Sequence, residues 1–113
     1  MTVTPIIKPR DLYELLAKEV PALIIDVRTP DEYKNGHIPN AKLLPLVEFN
    51  SPEIAERLSA LRQAPNQTIY VTCGVGRRAA KACDYLAQFN VEGLVLIEGG
   101  TQAWIDENLP ITK

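Results

Sequence analysis

Thr68-Ile69-Tyr70-Val71-Thr72-Cys73-Gly74-Val75-Gly76-Arg77-Arg78-Ala79-Ala80 reads as a strand, a glycine turn and the first turn of a helix. The opening residues are β-formers with almost no polar break, the pattern of a strand covered on both faces in a parallel sheet. The helix runs over residues 76–88 and places Ala79, Ala82, Cys83 and Leu86 on one face. Working outward, the same alternation repeats. Leu23-Ile24-Ile25-Asp26-Val27, Ala41-Lys42-Leu43-Leu44 (stopped by Pro45) and Leu94-Val95-Leu96-Ile97 read as further strands. Residues 2–7 supply a fifth, placed at an edge because Pro5 lies within it.

Helical segments fill the gaps. Residues 9–18 open on a first-turn proline and set Leu12, Leu15 and Leu16 on one face. Residues 30–35 form a short helix with Thr29 as N-cap and Gly36 as stop. Residues 51–62 carry Ser51 as cap and a stripe of Ile54, Leu58 and Leu61, and residues 101–107 close the set. Strands alternating with helices predict an α/β fold: a five-stranded parallel central sheet with helices on both faces and right-handed crossovers.

The 113 residues fit a single domain spanning 1–113, with 46% hydrophobic and 23% charged residues. The formal net charge is −2, and the longest basic run is the pair Arg77-Arg78. Nucleic-acid binding, which needs a basic stripe, is not expected. No apolar run approaches a membrane span, and Met1-Thr2-Val3-Thr4-Pro5 lacks the pattern of a signal peptide. With two cysteines, Cys73 and Cys83, and His37 as the single histidine, neither a disulfide framework nor a zinc site is predicted. The expected location is the cytoplasm, without metal or cofactor.

In a parallel sheet, ligands bind beyond the carboxyl ends of the strands. Three loops qualify: those after Asp26, after Thr72 and after Ile97. The loop after Thr72 carries the chemistry. Its glycines allow positive φ and a tight curl that turns N–H groups inward. The following helix adds unpaired amides and the positive end of its dipole. Such a cradle holds an anion and favours a thiolate over a thiol, so Cys73 is the candidate nucleophile without a histidine. The competing explanation is a buried filler cysteine in an ordinary βα turn. The helix-start position, the Gly-x-Gly turn and the arginine pair favour the reactive thiol.

Cys73-Gly74-Val75-Gly76-Arg77-Arg78 resembles the Cys-x-x-Gly-x-Arg active-site loop of the rhodanese-like sulfurtransferases. Ile25-Asp26-Val27-Arg28, Glu32-Tyr33 and Gly36-His37-Ile38-Pro39-Asn40-Ala41 are similar to that family's N-terminal motif. Glu98-Gly99-Gly100 with Ala103-Trp104 is similar to its C-terminal one. The likeness covers residues 8–110, in order and spacing. It implies that Cys73 takes sulfur from a small anionic donor such as thiosulfate, or from a persulfide, and passes it to cyanide, a thiol or a protein acceptor. It also implies that Gly74, Val75, Gly76, Arg77 and Arg78 hold the persulfide and the donor, with Arg78 matching the family's loop arginine. Related phosphatases and arsenate reductases use Cys-x5-Arg; the Cys-x4-Arg spacing here resembles the sulfur-handling branch. The sequence departs from the family at Ala79, where serine is frequent, and at Asn40, where glycine is frequent, which predicts a turn that holds a left-handed residue.

Asp26 and Arg28 either charge the pocket mouth or hold loops together, and the family resemblance favours the structural role. His37 is either a base or part of a turn whose hydrogen bonds fix the chain, and the resemblance favours the turn. Trp104, with Gly99 and Gly100, is expected to pack the final helix near the active-site side rather than touch substrate. Cys83 lies ten residues beyond Cys73, well along the same helix, and is assigned to the core. Two other functions compete with catalysis: a non-catalytic interaction module on this fold, and a relay that hands sulfur to a partner protein.

Overall fold

The computed structural model describes residues 4–64 and 67–113. Five strands form one sheet: β1 (Ile6–Ile7), β2 (Leu23–Asp26), β3 (Lys42–Leu43), β4 (Ile69–Thr72) and β5 (Leu94–Ile97). Their order is β1-β5-β4-β2-β3, and every neighbouring pair is parallel. The predicted edge strand is β1; Thr2 and Val3 of that prediction lie outside the described residues.

The helices are α1 (Pro9–Ala17), α2 (Pro30–Lys34), α3 (Glu53–Leu61), α4 (Arg77–Ala87) and α5 (Gly100–Asp106), with a 3-10 turn at Leu46–Glu48. The central strands are buried on both faces, and their alternate residues divide between two cores. Leu23, Ile25, Ile69, Val71 and Leu94 pack with Ile54 and Leu58 of α3 and with Ala79, Ala82, Cys83 and Leu86 of α4. Ile24, Tyr70 and Ile97 pack on the other face with Leu12 of α1 and Trp104 of α5. Fully burying one such aliphatic side chain is worth about 1.5–3 kcal/mol. This two-faced burial explains the unbroken apolar strands of the sequence.

Local signals set most helix ends. Thr29 accepts from the Glu32 N–H while the Glu32 carboxylate accepts from the Thr29 N–H, a reciprocal capping box. Asn40 takes φ +68, the left-handed turn expected of it. Two expectations in α3 need correction. Ser51 is not its cap: the helix begins at Glu53, the flanking position is Pro52, and no side chain caps the helix. Leu61 is not in the core stripe either; it is exposed at the last turn, beyond the reach of the sheet. Among the described residues no helix is long and apolar enough to cross a membrane.

Candidate active site

β4 ends at Thr72 and delivers Cys73 to the carboxyl edge of the sheet, between β2 and β5. Cys73 is buried at 1% exposure, and its Sγ accepts the Gly76 N–H at 2.9 Å. Gly76 has φ +112 and immediately precedes α4; a Cβ there would meet nothing within 4 Å. Its requirement for glycine is therefore one of backbone angle, not space. Positive φ at both loop glycines was the expectation, but only Gly76 has it. At Gly74 a Cβ would stand 2.9 Å from Arg78 Nη2, so a larger residue there would push the guanidinium aside.

The loop is shaped from behind by α5. The Thr101 N–H donates to the Cys73 carbonyl at 2.7 Å, and the Gln102 N–H donates to the Gly74 carbonyl at 3.0 Å. The Thr72 and Thr101 hydroxyls meet at 3.0 Å beneath them. Peptide units are planar and trans. Drawing these two carbonyls towards α5 therefore turns the N–H groups of Gly74 and Val75 the opposite way, into the loop. Gly100 makes this approach feasible. A Cβ on it would lie 2.5 Å from the Cys73 oxygen and 2.7 Å from the Gly74 oxygen, and its φ is +67. Gly100→Ala is expected to lower stability by about 3 kcal/mol, adding backbone displacement to the left-handed penalty. Gly76→Ala, with open space around it, should lose only about 1 kcal/mol. Urea unfolding of the two variants checks the order.

The two arginines divide. Arg77 is exposed, as is Val75 at the loop tip. Arg78, the one matched to the family's loop arginine, is engaged elsewhere. Its Nη1 and Nη2 donate to Glu32 Oε1 and Oε2 at 2.7 and 2.9 Å. The Arg78 hydrogen bonds hold the Glu32 carboxyl down to about 2, against an opposing push from burial. The same hydrogen bonds raise Arg78 above its ordinary value, helped by the charges of Glu32, Cys73 and Asp26. In the sequence Glu32 belongs to the N-terminal motif and is not marked as a site residue. Its place three residues after Thr29 marks a cap; nothing local marks its second partner.

The remaining residues sort by distance from the sulfur. Asp26 is fully buried beneath the β2 end, where both its oxygens accept from Arg28 at 2.9–3.1 Å. Arg28 Nη2 also donates to the Gly36 carbonyl at 2.7 Å, tying the β2 end to the turn after α2. His37 stacks on Tyr33 with ring centroids 3.6 Å apart, and its Nδ1 lies 2.8 Å from the Tyr33 carbonyl. Its backbone pairs with Thr112, so it is committed to tying the turn after α2 to the C-terminal segment. Trp104 is buried on the sheet face opposite Cys73, donating from Nε1 to the Pro110 carbonyl at 2.6 Å. It lines a separate groove of about 380 Å³ with Tyr13, Leu16 and Val20. Cys83 is a free, buried thiol in α4, pushed up to about 12 by burial and by the charge of Asp84. Among the described residues no group of three or more His, Cys, Asp or Glu side chains could hold a metal ion.

The chain as a whole has counterparts among known proteins. Residues 8–107 match the family model described as Rhodanese-like domain. The chain belongs to the rhodanese-like domain family. A rhodanese-like domain protein of Staphylococcus aureus, solved by crystallography, superposes with a TM-score of 0.75 at 35% identity, covering 98% of this chain and 100% of that one. The chain is 34% identical to a protein of Allochromatium vinosum named Sulfurtransferase, over 93% of this chain and 92% of that protein. It is 32% identical to Thiosulfate sulfurtransferase GlpE of Pseudoalteromonas translucida, over 80% and 79% of the two chains. It is also 34% identical to the Synechocystis protein slr1261, of which it spans only 55%. In this rhodanese-like domain the family's motifs meet at one edge of the sheet. The loop of residues 73–78 touches the β2–α2 segment through Arg78 and Glu32, and the start of α5 through the two carbonyls.

Proposed function

We propose that this rhodanese-like domain is a sulfurtransferase that carries a sulfane sulfur on Cys73. The observation behind this reading is the Gly76 N–H aimed at Cys73 Sγ at 2.9 Å, in a loop whose Cys73 and Gly74 carbonyls are drawn away towards α5. Relatives named sulfurtransferase and thiosulfate sulfurtransferase support the same reading. The chemistry is a two-step exchange. The Cys73 thiolate attacks the outer sulfur of thiosulfate, the S–S bond of the donor breaks, and sulfite leaves with the bonding pair. Cys73 then carries an S–S⁻ terminus facing the amides of Gly74, Val75 and Gly76. A thiophile such as cyanide or a thiol attacks that terminal sulfur and regenerates the thiolate. The donor is a small anion or a persulfide, the acceptor a small thiophile or a protein thiol, and the setting the cytoplasm. Gly74, Val75, Gly76 and Arg77 act as the binding shell, closed at its end by Arg78 through Glu32, while Asp26, Arg28, His37 and Trp104 hold the frame around it.

The test is the intact mass after incubation with thiosulfate. One sulfur should add, about 32 Da, and a thiol reductant should remove it; a sulfinic acid of similar mass would survive the reductant. Only one sulfur is expected, because Cys83 is held as a buried thiol. No gain from thiosulfate or from a persulfide would make a non-catalytic interaction module the better reading.

A further inference from the structure

A loop arginine beside a nucleophilic cysteine would ordinarily receive the donor's negative charge. Here that fork is filled. Both terminal nitrogens of Arg78 are bonded to Glu32, and the Glu32 carboxylate is itself anchored to Thr29, through the backbone N–H at 3.2 Å and Oγ1 at 3.1 Å. Carboxylate and guanidinium both overhang the residue next to the nucleophile. A Cβ on Gly74 would lie 2.9 Å from Arg78 Nη2 and 3.8 Å from Glu32 Oε2. The pair therefore presents no net charge to an incoming donor, and the carboxylate stays ionised through any working pH. Arg77 is the one loop cation with no carboxylate partner among the described residues, and it points out to solvent-exposed surface.

We propose that Glu32 sets the donor preference of the Cys73 loop: by occupying the Arg78 fork it disfavours dianionic donors and favours persulfides of lower charge. The proposal rests on the sulfurtransferase reading and names the substrate class for it. In the favoured step the Cys73 thiolate attacks the outer sulfur of R–S–SH. The new bond is Cys73 S–S, the donor's S–S bond breaks, and R–S⁻ leaves with the electron pair. No oxidant or reductant is consumed. With thiosulfate the same attack brings two negative charges up to the Arg78–Glu32 pair, whose guanidinium is already taken and offers no net positive charge to offset them.

Glu32→Gln separates charge from structure. Glutamine serves equally at the third position of a capping box, so the α2 start keeps its hydrogen bonds while the charge goes. The measurement is the rate of Cys73 persulfide formation, followed by intact mass, with thiosulfate and with the persulfide of 2-mercaptoethanol. Relative to the unaltered protein, the ratio of kcat/KM for thiosulfate to that for the persulfide should rise about tenfold, mainly through KM for thiosulfate. The change should shrink at high salt, which screens charge but leaves a cap intact. A melting temperature within a few degrees of the unaltered protein verifies the fold. Arg78→Lys gives an independent arm. A lysine cannot make the two-pronged bond, so it leaves part of the carboxylate unneutralised and should lower the ratio. If Glu32→Gln leaves the ratio unchanged or lowers it, the Glu32 proposal is overturned while the sulfurtransferase reading stands. If the unaltered protein takes sulfur from neither donor, that reading fails and the proposal falls with it.

Discussion

Cys73→Ser will abolish sulfur loading: incubation with thiosulfate or a persulfide should leave its mass unchanged, and cyanolysis should fall by roughly a thousandfold or more. The two side chains are nearly the same shape, and serine can keep the Gly76 N–H as a partner. Stability should therefore change by less than about 1 kcal/mol, which separates lost chemistry from lost fold. The loss is large because the loop offers amides and no base. A thiol reaches its reactive anion with backbone help, whereas a hydroxyl needs a proton acceptor. His37, the single histidine, is spoken for by the Tyr33 carbonyl and its stacked ring. A serine protein that still gains a reducible sulfur would place the nucleophile elsewhere.

Asp26→Ala will lower stability by about 3–5 kcal/mol, the largest expected loss for a residue outside the loop. Asp26 is fully buried and Arg28 is nearly so, at 7% exposure. Removing the carboxylate strands a guanidinium that keeps only the Gly36 carbonyl as partner. Urea unfolding should show the midpoint drop without a matching change in slope. Replacing both partners with apolar residues of similar volume should recover much of the loss, because the isolated charge, not the missing bond, carries most of it. The damage should reach the loop, since the Val27 N–H donates to the Thr72 carbonyl one residue before the nucleophile.

Features confined to a few consecutive residues were legible in the sequence. The strand–glycine–helix run at Cys73, the Thr29 cap, the left-handed Asn40 and the apolar face of α4 each follow from local chemistry. The two-sided strands predicted the layers of the fold. What escaped were relations between segments that meet only at the carboxyl edge of the sheet. Arg78 and Glu32 are 46 residues apart, and no local pattern pairs them. Gly100 reads as a helix-start glycine; its intimacy with the Cys73 and Gly74 oxygens follows from how closely α5 docks. At Ser51 the sequence signal was local but ambiguous, because Pro52 could begin the helix or flank it, and the backbone chose to flank.

The outermost strand β3 also bears on how the protein behaves in company. It is two residues long, Lys42 on it is exposed, and Pro45 stands two residues beyond its end. An open strand edge is a template on which another chain can grow. Here the template is short, carries a positive charge and ends at a residue that cannot donate to a ladder. In a crowded solution, copies of this chain have little to polymerise along on that side of the sheet, so its parallel strands can remain free of fibre-like stacking.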